Sequence, residues 1–521
     1  MRLRYALLLA ALPLLAPDAS AQCTAPAPRT LATAAINAPL SPSGTLFFPN
    51  LNGQHFRINA ANADVFYAAA PWIGGKVNGE LRVSAQTYIR TNDLSYQPGP
   101  LSAQGTADGC SRYNRVWIVT KADLDAFYSG GSSTADLAEW PWDLGAPVTD
   151  GDGVPGNYNL AGGDRPTLWG EATAWYVLND VAHHPYPDTN SIGLEVQVTV
   201  GSANRGIPGA LLVRHRLVYK PTSNTPLTDV YFGMWSDGDL GNPNDDYVGT
   251  DSTLSLFYYY NADNNDDGTG GFGSTNLPAA GVQILQGPRV DTDGNGSLDA
   301  TLRATSGLNY YSIPTAMGFP QSALGFYQYM QALWLDGVPV TEGGNGRGRT
   351  ERTRFVFPAM PPAYWSEEQP DVGGSPNVPG DRRGLLSAGP FTMQPGQTQD
   401  ILSAFSFAYG SDRFVALQNL KAYAATLLQT YSVANEADAR PELAVALGPN
   451  PTRGTLRGTV PTGQPATVAL YDLLGRELRT LATLPSGGSF TADVSEATPG
   501  VYLVRIAQGT ATAWHRLVVV R

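Results

Sequence analysis

Eleven aspartates fall between Asp237 and Asp299 (positions 237, 239, 245, 246, 251, 263, 266, 267, 291, 293 and 299), with no glutamate and a single basic residue, Arg289. A net charge of −10 in one stretch repels itself unless cations share it, and hard Ca²⁺ favours clustered carboxylate and carbonyl oxygens on tight loops. Calcium is therefore the expected counter-charge. The sharpest spacing is Asp291, Asp293, Asn295, Ser297 and Asp299 around Gly296. It places oxygens at alternate positions of an EF-hand-type loop, with the turn glycine between them. Leu302 stands where such a loop carries its bidentate glutamate, so no helix-loop-helix sensor is implied. Asp263, Asn265 and Asp267 before Gly268 form a second candidate, the aspartates from Asp237 to Asp251 a third, and Asp150 with Asp152 a fourth. The same residue types also bond their own backbone as Asx turns in solvent, so both readings stand at this point.

Catalytic patterns are sparse. The chain has no Gly-x-Ser-x-Gly elbow, no His-Glu-x-x-His helix and no P-loop, and its five histidines are His55, His183, His184, His215 and His515. His215 alternates with apolar residues and reads as a hydrogen-bonded core side chain. The adjacent His183 and His184, in a Pro- and Asn-rich loop, read as solvated. The remaining enzymatic route is a pair of carboxylates about 5 to 9.5 Å apart acting on polysaccharide. Trp72, Trp140, Trp142, Trp169, Trp235 and Trp365 supply rings able to stack on sugars, although aromatic residues beside Gly/Pro turns also anchor cores.

The elements that must position these groups are mostly strands. Of 521 residues, 57 are Gly and 40 Pro, 42% are hydrophobic and only 15% charged, which describes a large core threaded by many turns. With a net charge of −12 and four lysines, the chain lacks the basic stripe that nucleic acid or an anionic membrane requires. From Ile192 to Val200 the side chains alternate strictly, with Leu194, Val196, Val198 and Val200 on one face and Glu195, Gln197 and Thr199 on the other, the mark of a half-buried antiparallel strand. The same period runs from Leu211 to Tyr219, and further strands fit 81–89, 114–119, 172–180, 227–236, 253–261, 280–286 and 399–409. Helices are few. Thr120 with Asp123 makes a capping box for 121–128, and Leu417, Leu420, Ala424, Leu427 and Tyr431 form a helical stripe after Ser411. The expected fold class is mainly β: a large antiparallel β-sandwich-type body with few helices, plus a small C-terminal Ig-like sandwich.

Residues 1–21 read as a secretory signal peptide, with Arg2 and Arg4 before an apolar stretch and Ala19-Ser20-Ala21 at the cleavage site. The body would then span 22–433, with room for two subdomains, and 434–442 would link it to a C-terminal domain at 443–521. No later run reaches the roughly 18 apolar residues of a membrane span. In an oxidising compartment Cys23 and Cys110, the only two cysteines, are expected to pair as a disulfide.

The C-terminal stretch contains Gly448-Pro449-Asn450-Pro451-Thr452, then Tyr471-Asp472-Leu473-Leu474-Gly475-Arg476-Glu477, then Pro499-Gly500-Val501-Tyr502-Leu503-Val504, ending Leu517-Val518-Val519-Val520-Arg521. It resembles the type A C-terminal sorting domain of type IX secretion system cargo, in order and in spacing, with Gly448 in place of the tyrosine many members carry. The resemblance implies recognition of this domain by the type IX secretion machinery, passage across the outer membrane of a Gram-negative bacterium, and secretion or surface display. The body bears a looser resemblance to uncharacterised β-rich cargo proteins of that system, through Trp140-Pro141, Gly163-Asp164-Arg165-Pro166, Trp175 to Asp180 and Asp239-Leu240-Gly241. The expected role is a calcium-stabilised structural or binding protein with a surface glycan or protein ligand, and the alternative is a secreted polysaccharide hydrolase.

Overall fold

The computed structural model describes residues 28–48, 55–88, 95–103, 105, 107, 110–154, 156–181, 189–203, 209–268, 270–293, 298, 300–311, 315–431, 446–460, 462–471, 477–508 and 511–520. The signal segment, the 434–442 linker, His183, His184 and Cys23 with its expected bridge to Cys110 lie outside them. The described residues are mostly strand with few helices, and they divide into two compact units, Met1–Ala425 and Thr426–Arg521.

Two antiparallel sheets dominate the first unit. The five-stranded sheet runs Ser306–Tyr310, Arg382–Met393, Leu227–Gly238, Ala68–Val77, Glu80–Ser84. The nine-stranded sheet runs Asp246–Asp251, Leu256–Asn261, Leu277–Gln286, Thr398–Gly410, Ala210–Tyr219, Leu194–Ser202, Ala172–Asn179, with Gln97–Pro98 and Trp117–Thr120 both pairing the last of these. One apolar cluster draws on both sheets. Trp72, Phe232, Trp235 and Leu386 come from the smaller, and Val196, Val213, Val282 and Phe405 from the larger.

The larger sheet is covered on its other face as well. Phe257 and Tyr259 join the inter-sheet cluster, while Tyr258 and Tyr260, pointing oppositely by the two-residue period of a strand, pack with Leu417, Leu420 and Ala424 of the helix Arg413–Tyr431. At the far end Trp175 and Val177 pack with Trp117, Leu137 and Trp140, while Ala174, Tyr176 and Leu178 face the inter-sheet cluster. Glu195, on the polar side of its strand, is consequently 2% exposed and held by Lys220 at 2.6 Å.

Local chemistry explains where elements start. The helix Lys121–Tyr128 has the reciprocal cap: Thr120 accepts from the Asp123 amide and Asp123 accepts from the Thr120 amide, which typically contributes about 1 kcal/mol. The helix Arg413–Tyr431 is capped by Asp412, whose Oδ1 accepts from the amides of Phe414 and Val415 at 2.9 Å each. The strand expected at 253–261 begins only at Leu256, because Asp251 Oδ1 accepts from the amides of Thr253 and Leu254 and turns the chain first. The strand expected at 81–89 is Glu80–Ser84.

In the second unit one sheet contains Ala446–Gly448, Thr455–Val460 and Gly488–Asp493, and the other Glu477–Leu484, Ala466–Tyr471, Gly500–Gln508 and Ala511–Val519. Leu456, Val468, Leu470, Phe490, Val504, Ile506 and Leu517 form its separate apolar cluster.

Candidate metal centre and sorting domain

The strands Leu227–Gly238 and Arg382–Met393 run antiparallel with Asp237 directly opposite Arg383. Side chains two residues apart in a strand share a face. Asp239, just beyond the first strand, and Asp381, just before the second, therefore come to the same end and the same side. Carboxylate oxygens of Asp237, Asp239 and Asp381 lie within 4.8 Å of one another. Arg383 Nη1 forms an ion pair with Asp381 Oδ2 at 2.6 Å, and its Nε lies 3.4 Å from Asp237 Oδ1. The Tyr88 hydroxyl donates to Asp237 Oδ2 and accepts from Arg383 Nε at 3.2 Å. Its ring stands edge-on to Trp235 at 5.3 Å between centroids.

Charge is crowded here. Burial pushes the Asp237 carboxyl up to about 7, against the pull of Arg383 and with the help of Asp381. Burial, then Asp237 and Asp381, hold Asp239 well above the ordinary carboxylate range. Tyr67 is raised by burial and then by Asp239. Like charges this close do not all ionise without a compensating cation.

A second group, Asp150, Asp152 and Asp164, also brings carboxylate oxygens within 4.8 Å, in a surface loop. Its oxygens are engaged by the loop itself. Asp164, wholly buried, accepts from the amides of Gly151 at 2.9 Å and Asn159 at 2.6 Å. Asp152 accepts from the Val154 amide and from the side-chain amides of Asn157 and Asn159, and Asp150 from the Gly153 amide. Side-chain hydrogen bonds, chiefly from Asn159, hold Asp152 below the usual carboxylate range. Both groups have the hard oxygen donors a divalent ion takes.

The other acids form no third such group among the described residues, although burial and then Asp266 push the Asp245 carboxyl up to about 7. Asp246 is fully buried, lies opposite Asn261 in the strand register, and accepts from the Leu240 amide at 3.1 Å. Asp266 accepts from the amides of Asn242 and Phe272, and Asp251 pairs with Lys421 at 3.1 Å. Asp263, Asn265 and Asp267 are exposed, and Asp263 Oδ1 accepts from the Asn265 amide at 2.7 Å as in an Asx turn. Asp291 is half-buried and Asp293 exposed, while Asn295, Ser297 and Asp299 lie outside the described residues. The sequence grouping joined Asp237 and Asp239 to their neighbours in the chain. It missed Asp381 and Asp164, whose only sequence signal is an acid beside a turn.

Two open clefts lie elsewhere. One, about 450 Å³, is lined by Arg29, Asp123 and Asp136, and the other, about 400 Å³, by Leu101, Glu195 and Lys220. Asp136 is tied to Arg29, Arg115 and the Ile118 amide, and despite burial these bonds lower its carboxyl. It does not behave as a protonated acid. Trp72, Trp140, Trp235 and Trp365 are buried anchors. His215 is 1% exposed against Phe232, and its Nδ1 has no hydrogen-bond partner. The hydrogen bond expected of it is not made at that nitrogen, because its neighbours across the core are apolar.

In the second unit the Pro449-Asn450-Pro451-Thr452 turn is fastened to the final strand. Asn450 Oδ1 accepts from the Val518 amide at 2.9 Å, the Thr452 amide donates to Val518 O, and the Val520 amide donates to Thr452 O. The Tyr502 hydroxyl donates to the Thr498 carbonyl at 2.7 Å. Thus the motif that opens the domain and the strand that closes it are one hydrogen-bonded unit.

Residues 447–520 match the secretion system C-terminal sorting domain family. No curated protein matches the chain. Among solved structures, a polysaccharide lyase is similar at 10% identity and a TM-score of 0.20, covering 72% of this chain and 38% of that one. The BSP domain of a biofilm associated protein is similar at 9% identity and a TM-score of 0.14, covering 67% and 60% respectively. The chain thus spans less than two thirds of either. No helix among the described residues is long and apolar enough to cross a membrane. The chain carries, at 447–520, the C-terminal sorting domain of the type IX secretion system, and it is a protein secreted from, or displayed on the surface of, a Gram-negative bacterium.

Proposed function

We propose that this chain is a structural or binding protein of the outer cell surface, delivered by its C-terminal domain and stiffened by calcium held in aspartate-rich loops. The match of residues 447–520 to the sorting-domain family carries the delivery part of this reading. The Tyr502 bond to a carbonyl four residues upstream, like the tyrosine corner of immunoglobulin-type sandwiches, supports an Ig-like sandwich for 443–521. The shared apolar cluster of the two large sheets supports a sandwich-type body. Calcium is the natural ion for all-oxygen ligand sets outside the cytoplasm, where affinities of about 10⁻⁴ to 10⁻³ M suffice. The groups concerned are Asp237, Asp239 and Asp381 together with Asp291 to Asp299, while the carboxylates of Asp150, Asp152, Asp164 and Asp263 serve amides of their own turns. The burial of Trp72, Trp140, Trp235 and Trp365, and the ion pairs of Asp136 and Glu195 in the clefts, favour a surface-binding role over polysaccharide hydrolysis.

Deleting 443–521 tests delivery: the body should accumulate in the periplasm, and unchanged surface display would sink the reading. Thermal melts of the full chain in EDTA and in millimolar Ca²⁺ test stiffening. An ion at about 100 times its dissociation constant stabilises the folded state by about 2.7 kcal/mol, and identical melts would remove calcium from the account.

A further inference from the structure

We propose that Asp237, Asp239 and Asp381 form a divalent-cation site that clamps the paired ends of the strands Leu227–Gly238 and Arg382–Met393. The proposal rests on the calcium reading above and assigns it to particular oxygens. Convergence of the three carboxylates within 4.8 Å is the first observation. The second comes from hydrogen-bond accounting. The Asp237 side chain is 2% exposed, its Oδ2 is taken by the Tyr88 hydroxyl, and its Oδ1 has no hydrogen-bond partner. Arg383 Nε lies 3.4 Å from that oxygen without the geometry of a hydrogen bond. Asp381 repeats the pattern: Oδ2 takes Arg383 Nη1, and the buried Oδ1 has no partner.

Each of these two carboxylates is held by one oxygen and leaves the other without a hydrogen bond, that of Asp237 facing only the Arg383 charge. Outer hydrogen bonds orient metal ligands in this way. Two ionised carboxylates cannot donate to each other, so either a cation or a shared proton must lie between them. Arg383 offsets one of three negative charges, and a divalent ion matches the two that remain. A donor set of carboxylate oxygens without sulfur or imidazole selects Ca²⁺ or Mg²⁺ over Zn²⁺ or copper. The Asp150, Asp152 and Asp164 group offers no such bare oxygen: none of its atoms is among the buried acceptors without a partner.

Tb³⁺, which replaces Ca²⁺ and emits when excited through nearby aromatic rings, reads this site directly, because Tyr88 bonds Asp237 and adjoins Trp235. The full chain should show aromatic-sensitised Tb³⁺ emission that Ca²⁺ displaces. Asp239→Asn should weaken Tb³⁺ affinity at least about tenfold, and Tyr88→Phe, which frees the orienting bond, about tenfold. Asp291→Ala with Asp293→Ala should leave this emission unchanged. Asp381→Asn serves as the second ligand variant if Asp239→Asn fails to reach the native circular dichroism. Unchanged affinity in both ligand variants would overturn the site. If Ca²⁺ still raised their melting temperatures as in the parent, the calcium reading would stand without it. A parent chain with no emission and no calcium-dependent melt would overturn both, leaving a shared proton between Asp237 and Asp381.

Discussion

The two convergent aspartate groups differ in how their oxygens are employed. In the loop of Asp150, Asp152 and Asp164, backbone and asparagine amides of the same loop occupy the carboxylates. At the sheet end, Asp237 and Asp381 each keep one buried oxygen with no hydrogen-bond partner, beside an arginine that offsets only part of the charge. The first group is a loop folding itself by Asx-type bonds. The second is held in place by strand pairing whether or not its charges are balanced. Counting acids makes the two look alike, and counting hydrogen bonds separates them.

The largest effect that would break this contrast is Arg383→Met. It leaves buried carboxylates without their counter-charge, and we expect a loss of about 3–5 kcal/mol in urea unfolding at neutral pH, partly restored by Ca²⁺. A loss below about 1 kcal/mol would mean that the sheet-end carboxylates are already neutral. Asp164→Ala removes the acceptor of two amides and should cost about 1–3 kcal/mol, equally in EDTA and in Ca²⁺. A cost seen only with Ca²⁺ present would show instead that this loop is the one organised by an ion.

A proton effect outside both groups sharpens the measurement. Burial pushes the His215 imidazole down to about 3, below the unfolded value of about 6.5. Above pH 6.5 neither state binds the proton. As the pH falls from 6.5 towards 3 only the unfolded chain takes it up, so His215 should remove about 1.4 kcal/mol of stability per pH unit in that window. His215→Leu should abolish that component of the slope, and an unaltered slope would place the acid sensitivity elsewhere. The smallest effect belongs to Asp263→Ala. Its exposed carboxylate serves one local amide, and the expected change lies within about 0.5 kcal/mol. A larger, calcium-dependent loss would promote the 263–267 loop from turn to ion site.

Alternation alone located the strands Leu194–Ser202 and Ala210–Tyr219, because their apolar side chains repeat every second residue. The capping box likewise located Lys121–Tyr128. The strand Ala68–Val77 escaped, since nearly all its residues are buried and no alternation survives. Pro71 also interrupts it. That proline lies beyond the short strand Glu80–Ser84, which pairs only Ile73 to Val77, an edge position such as a strand proline needs.

The sequence by itself determined the destination and the class of this protein. The sorting motifs are local runs of turn and strand residues, and an acid-rich, lysine-poor, Gly/Pro-punctuated composition sets the expectation about partners without any fold. Only the tertiary structure decided which aspartates act together. Asp381 meets Asp237 because two strands distant in the chain pair in one register, with Arg383 placed opposite Asp237. Which oxygens remain bare depends on Tyr88 and Arg383 reaching them across that sheet end. Carboxylates far apart in sequence carry no trace of one another in it, since their interaction follows distance in space and the surrounding desolvation rather than separation along the chain.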